Sequence, residues 1–238
     1  MKKSLPILPL TAFILFSTGC RREVVEASDK GFAYYPSQSG FWWEFDVDSI
    51  FYNDFTGDTL SRSYILREEF ISDFISQDGT PAVRIERYTR PSENDNWQGP
   101  RVWWTYRTAT YAVKVEENIP YVKLIFPPQN GKTWNGNNLN FQPAITYRYV
   151  SVHEPYTLNG NVFDSTVTVL QRDNENLLEK QFYRERFARN VGMIEKEIID
   201  IRGFTDSDNV PDTLAKPILN RIKSGLVYRQ KIRNWGAL

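Results

Sequence analysis

Few residues in this chain are suited to chemistry, and most of them lack the partners that chemistry requires. His153 is the only histidine and Cys20 the only cysteine. A Ser-His-Asp triad or a histidine-based zinc site would have to be built around His153, and zinc would find no second imidazole. A satisfied strand-end histidine is the simpler reading. The adjacent carboxylates Glu68-Glu69 and Glu116-Glu117 fall in stretches of strand character. Neighbouring side chains of a strand point to opposite faces, so neither pair makes a glycosidase dyad by itself. Carboxylates gathered from different strands stay open to that role. The acidic loops SENDNW (92–97), RDNEN (172–176) and TDSDNVPD (205–212) offer oxygen donors suited to calcium, but none follows a loop with fixed ligand positions. No Gly-rich phosphate loop, nucleophile elbow or metal-binding helix motif occurs. The expectation is a protein that is not an enzyme and carries no cofactor or metal.

Tryptophan is the better lead. The doublets Trp42-Trp43 and Trp103-Trp104 each place one ring on either face of a strand. Trp43 keeps company with Phe45 and Val47, and Trp104 with Val102 and Tyr106, so these two are expected in the core. Trp42 shares its face with Glu44 and Asp46, and Trp103 with Arg101, Thr105 and Arg107. A large aromatic among charges is either covered by another segment, for which 204–225 is a candidate, or offered to a ligand. On the second reading Trp42, Trp97, Trp103, Arg101 and Arg107 would stack on sugar rings or grip an acidic head group.

The elements that must position these residues are strands. In WWEFDVDSIFY (42–52) apolar and polar positions alternate with period two. SYILREEFISDF (63–74), AVRIERYTR (82–90), RVWWTYRT (101–108), TYAVKVEE (110–117) and YVKLIFP (121–127) follow, separated by turn residues. A second series runs through AITYRYVSVHEPY (144–156), FDSTVTVLQR (163–172), EKQFYRERFARNVGMIEKEIIDIRG (179–203) and LVYRQKIRNW (226–235), with Asn159-Gly160 marking a hairpin. Pro217 sits in an early turn of one short helical segment expected around Leu214 to Lys223. The phrase Pro-x-Gln-x-Gly-x-x-Trp occurs twice, at 36–43 and 127–134, and Tyr-Arg recurs at 106–107 and 183–184. Two related meanders would explain both echoes, as would shared hairpin chemistry. The fold class expected is all-β: a strongly curved antiparallel sheet or half-open barrel in a single domain, 36–238. Charges on both faces, as at Arg67, Glu68 and Glu69, argue against a membrane-spanning barrel.

The first residues, MKKSLPILPLTAFILFSTGCRR, combine a basic start, an apolar run too short to span a bilayer, and a small-residue end. Ser17-Thr18-Gly19-Cys20 resembles the lipobox of bacterial lipoproteins, with Ser17 where that box usually carries Leu, Val or Ile. The resemblance implies removal of residues 1–19, acylation of Cys20 and anchoring through acyl chains, with 20–35 as a tether. A lone thiol in an oxidising compartment fits this use, since it can form no internal disulfide. The whole chain carries 29 basic and 29 acidic residues. Lys2 and Lys3 leave with the signal, so the mature body of roughly 220 residues is slightly acidic and unsuited to nucleic acid.

Asp-Ser/Thr followed by an apolar residue or Thr resembles the O-glycosylation motif of exported Bacteroidota proteins. Four matches, at Ser49, Thr59, Ser165 and Thr213, stand against about 0.6 expected by chance from composition. With FPPQNGKTWNGN and YRERFARNVGMIEKE (183–197), these features resemble uncharacterised Bacteroidota lipoproteins. That resemblance implies a sheet related in shape to lipoprotein-carrier or lipocalin folds, anchored at the outer membrane on its periplasmic or outer face. It leads to a hydrophobic or amphiphilic ligand, such as a lipid, or an envelope partner. The alternative is a surface glycan-binding protein using exposed aromatics, and a hydrolase, which carboxylates converging in a cleft would favour, comes third.

Overall fold

A computed structural model describes residues 29–205 and 215–238. The signal segment, Cys20, most of the tether and Thr213 lie outside the described residues. Period-two alternation is realised as strands throughout: β1 Phe41–Tyr52, β2 Thr59–Ile75, β3 Pro81–Arg90, β4 Gln98–Arg107, β5 Tyr111–Glu116, β6 Ile119–Ile125, β7 Thr133–Asn135, β8 Thr146–Leu158, β9 Asn161–Glu175, β10 Glu179–Ala188, β11 Gly192–Gly203 and β12 Ile222–Ala237. They form one sheet in the order β6-β5-β4-β3-β2-β1-β12-β11-β10-β9-β8-β7. Every strand is thus beside its sequence neighbour, and β1 pairs antiparallel with β12. The result is a nearly closed antiparallel barrel.

The remaining seam, between β6 and β7, is held differently. Gly136 O accepts from Val122 N, Trp134 Nε1 donates to Val122 O, and the Tyr149 hydroxyl bonds both the N and the O of Ile125. Side chains replace most of the ladder there, because β7 has only three residues.

Same-face residues of the strands meet inside the barrel: Trp43, Phe45, Leu66, Phe70, Ile85, Leu124, Val167 and Phe187 belong to one buried cluster. One end is filled by residues expected to be tether. Tyr34 is fully buried, its hydroxyl bonded to His153 Nδ1 and to Ser165 Oγ at 2.6 Å each. Tyr35 bonds Thr105, and the carbonyls of Phe32 and Tyr35 accept from Arg107. Residues 32–35, expected to be tether, therefore belong to the packed domain, because this aromatic segment has core to bury.

Among the described residues the C-terminal helical segment is one 3-10 turn, Ile218–Asn220, and β12 begins at Ile222, earlier than expected. Burying Ile218 against Ile199, Ile201 and Val227 needs only one turn, so a longer helix gains nothing by forming. Asn159 and Gly160 take φ of 51° and 80°, as a two-residue hairpin with a type I′ turn requires.

The two copies of Pro-x-Gln-x-Gly-x-x-Trp do the same thing. Gly40 N donates to Phe70 O on β2 and Gly131 N to Tyr149 O on β8, both at 2.8 Å. Three residues later Trp43 packs on the Phe70 ring at 4.5 Å and Trp134 on the Tyr149 ring at 4.7 Å. Each phrase thus opens a six-strand half, β1–β6 or β7–β12, and pins its first strand to its second. Tyr106-Arg107 and Tyr183-Arg184 both fall on the fourth strand of a half. The following aromatic-Ala pairs do not match, since Tyr111-Ala112 opens β5 whereas Phe187-Ala188 stays on β10.

Gly131 has φ of 78° with open space around its Cα, whereas Gly192, at φ 97°, sets an added Cβ 2.5 Å from the Trp43 ring. Gly131→Ala is expected to cost about 1 kcal/mol, the left-handed penalty alone. Gly192→Ala adds overpacking, roughly 1–3 kcal/mol more. Urea unfolding of the two variants checks the order, and equal losses would contradict it.

Candidate functional site

The middle of the barrel is charged. Glu68 on β2 faces Arg87 across the β2–β3 ladder, and Glu185 on β10 faces Lys196 on β11, which faces Gln230 on β12. Lys114 and Glu116 project inward from β5. A register shift between Ala112 and Val113 in the β5–β6 ladder leaves Lys123 without a cross-strand partner, and it reaches into the barrel.

Two linked groups result. Lys114 Nζ lies 2.9 and 2.7 Å from the two oxygens of Glu68, and Arg87 Nε donates to Glu68 Oε1 at 2.9 Å. Lys123 Nζ contacts Glu116 and Glu185 at 2.9 Å, with Lys196 at 3.5 Å from Glu185 and 3.8 Å from Glu116. Trp103 borders the first group: Arg87 stacks over its ring at 3.5 Å, and its Nε1 donates to Glu117.

Burial alone would raise the carboxyl of Glu68, but Lys114 and Arg87 outweigh it and hold it below the ordinary value. The same contest, decided by Lys123 and Lys196, lowers Glu185 and Glu116. Burial works against Lys123 as well, yet Glu116 and Glu185 hold it well above the usual lysine value. All three interior carboxylates are therefore ionised at neutral pH.

These groups surround a cavity of about 250 Å³ whose apolar lining includes Trp43, Phe70, Trp103 and Phe187. Four basic side chains (Arg87, Lys114, Lys123, Lys196) and three carboxylates (Glu68, Glu116, Glu185) line it, and burial lowers Lys114 below the ordinary lysine value. Two buried cavity-lining atoms, Glu185 Oε2 and Gln230 Nε2, have no hydrogen-bond partner among the described residues. One is an acceptor and the other a donor, on residues only 1% and 2% exposed.

The structure does not bring the sequence-chosen ligand residues together. Trp103 lines the cavity. Trp42 donates to Ala237 O beneath Arg67, whose guanidinium lies 4.5 Å from its ring. Trp97 lies outside, under Arg90 at 4.3 Å. Arg101 is exposed beside Arg87, and Arg107 is committed to the carbonyls of Phe32 and Tyr35. The assignment of the second doublet to faces is reversed: Trp103 points inward, and Trp104 lies half-buried with Tyr106 over an outer cluster. Alternation was read correctly, but the side the barrel encloses was not, because its interior is the more charged face. The segment after 215 covers Ile199 and Ile201 rather than either tryptophan.

His153 adopts φ of 63° at a register shift in the β8–β9 ladder, and its ring is satisfied by Tyr34. Among the described residues no group of three metal-ligating side chains occurs. Of the modification candidates, Thr59 is exposed, Ser165 is bonded to Tyr34, and Ser49 is half-buried between Arg62 and Tyr228. Sequence reasoning missed Lys114, Lys123, Glu185, Lys196 and Gln230. The one available signal was a strand such as YAVKVEE whose charged positions alternate with valine, since a solvent-facing reading and an enclosed one look alike.

No family model matches the chain, and no curated protein matches it. Two solved structures resemble it: a presumed exported protein of Bacteroides fragilis with a YmcC-like fold, and a presumed lipoprotein of Parabacteroides distasonis. Each has a TM-score of 0.43 and 11% identity, and covers 85% of this chain and 98% of its own. At that distance no residue role passes from either to this chain.

Two outcomes follow from the ion pairs. Glu68→Gln leaves Lys114 and Arg87 without their carboxylate and is expected to destabilise by about 3–5 kcal/mol. Because the carboxyls are depressed in the folded state, their contribution is complete above the ordinary value of 4.5 and is lost as pH falls through the lower folded values. Urea midpoints should therefore hold from neutrality down to about that point and drop below it. A midpoint that rises on acidification would contradict the ionised assignment.

Proposed function

We propose that this chain is an exported lipoprotein of the cell envelope, anchored through Cys20 at the outer membrane, and that its barrel interior binds a small amphiphilic ligand without catalysing a reaction. The observation that carries the reading is the cavity: aromatic walls, a belt of matched charges, and a buried donor and acceptor left over at Gln230 and Glu185. Buried polar atoms are nearly always paired, and a ligand with polar and apolar parts would pair both. Ligand pockets commonly measure roughly 300–1,000 Å³. A cavity of about 250 Å³ therefore suits a head group or a short chain better than a lipid with two long tails.

The carboxylates support the non-enzymatic side. Acid–base catalysis at neutral pH needs titratable groups whose values are pushed apart. Here all three carboxylates are lowered together, so none of them is held protonated as a general acid, although burial lowers Lys114 while Glu116 and Glu185 raise Lys123. The glycan alternative is disfavoured by the guanidinium groups of Arg67, Arg90 and Arg87, each of which occupies one face of Trp42, Trp97 or Trp103. Anchoring rests on the sequence around Cys20, and no helix among the described residues is long and apolar enough to cross a membrane.

Native mass spectrometry of the full chain should show an adduct of small-lipid mass that is released on denaturation. Ile198→Trp, at a half-buried cavity-lining position, should abolish the adduct while the protein stays folded. A bare wild-type protein, even after incubation with envelope lipid extract, would overturn ligand binding. Separately, Cys20→Ser should shift the chain from the membrane to the soluble envelope fraction. Unchanged fractionation would remove the anchor.

A further inference from the structure

The wall of the barrel has a gap beside β2. The β2–β3 ladder begins only at Ile65 and Arg90, so Thr59–Tyr64 of β2 has no partner on that side. The β3–β4 ladder is irregular at the same level, passing from the Arg87–Arg101 pair to Thr89–Gln98. The resulting cleft, about 720 Å³, is lined by Arg62, Arg87, Arg90 and Arg101 with Tyr64, and no Asp or Glu lines it. Tyr64 and Arg87 line both this cleft and the interior cavity, so the two adjoin with these side chains at their boundary.

The four arginines are not equivalent. Arg87 is matched by Glu68 and Arg90 by Glu93. Arg62 and Arg101 have no acidic partner among the described residues. Arg101 also stands directly across the ladder from Arg87, and like charges so placed destabilise a sheet. A bound anion would relieve that repulsion, and planar guanidinium groups suit carboxylate and phosphate oxygens.

We infer that this gap is the entrance to the cavity and that it selects acids: the ligand carries a carboxylate or phosphate held by Arg62 and Arg101, with its apolar part directed inward past Tyr64. This rests on the binding reading above and narrows it to anionic amphiphiles.

A head-group series on the full chain tests it. Octanoate, octyl phosphate, octanol and octylamine share one tail and differ in charge, and calorimetric titration reads their affinities. The two acids should bind and compete with each other. Octanol should bind at least about tenfold more weakly, the value of a charge-assisted hydrogen bond, and octylamine weakest of all. Arg62→Ala with Arg101→Ala, at exposed positions, should bring the acids down to the level of octanol and leave octanol unchanged. Octanol binding as tightly as octanoate would overturn acid selection while leaving an amphiphile site in place. Failure of all four to bind would count against the binding reading itself. The series on the unmodified protein decides the matter even if the double variant fails to fold.

Discussion

Everything inside this barrel depends on matching charges that are largely withdrawn from water, Glu68 and Glu185 being only 1% exposed. An unpaired ion in such a place costs several kcal/mol, so the registers of β2 with β3 and of β10 with β11 are constrained to bring Glu68 to Arg87 and Glu185 to Lys196. A slip of one residue in either ladder would turn a charge outward and strand its partner. Lys123 has the widest reach, bridging Glu116 on β5 and Glu185 on β10 from its bulge on β6. It thereby ties the two six-strand halves across the interior at the level where the β6–β7 ladder is nearly absent. Closure of the barrel is thus partly electrostatic.

The two ends of the barrel differ in kind. At one end Gly31, Ala33 and Tyr34 lie against Pro128, Asn190 and His153, and Tyr35 bonds Thr105 and Val113 on the opposite side. Apolar burial dominates there. At the other end the β1–β2 hairpin projects beyond the shorter β3 and β4, and polar side chains line the gap that results.

Much of the fold was legible because alternation and turn chemistry are local. Asn159-Gly160 announced its hairpin, and the repeated Pro-x-Gln-x-Gly-x-x-Trp marked two points where a glycine N–H and a tryptophan ring fasten a first strand to a second. The site was less legible, because it is assembled across the barrel. Lys114 and Glu68 are 46 positions apart and Lys123 and Glu185 are 62 apart, and no local pattern links them. Trp103 does lie against an arginine, Arg87, but on the enclosed face. Placing it outside followed from treating the charged face of a strand as the wet one, a rule that fails when a barrel encloses polar groups. The tether was misjudged for the opposite reason: GFAYY looks like a loop until a core exists to receive its rings.

The same physics bears on why such an interior exists. Buried ion pairs of good geometry often contribute no more than well-packed apolar residues of equal volume would. Stability alone therefore gives little reason to retain seven charged side chains around one cavity. It gives still less reason to leave Glu185 Oε2 and Gln230 Nε2 unpaired beside them. A lining in which most groups are matched, while a few are held in place and left over, is what recognition of a polar ligand requires. The matched pairs fix the geometry, and the unmatched atoms supply the contacts. On the binding reading proposed above, Lys114, Lys123 and Glu68 would be the rigid frame of the site, and Gln230, Glu185 and the arginines of the gap the groups that face a ligand.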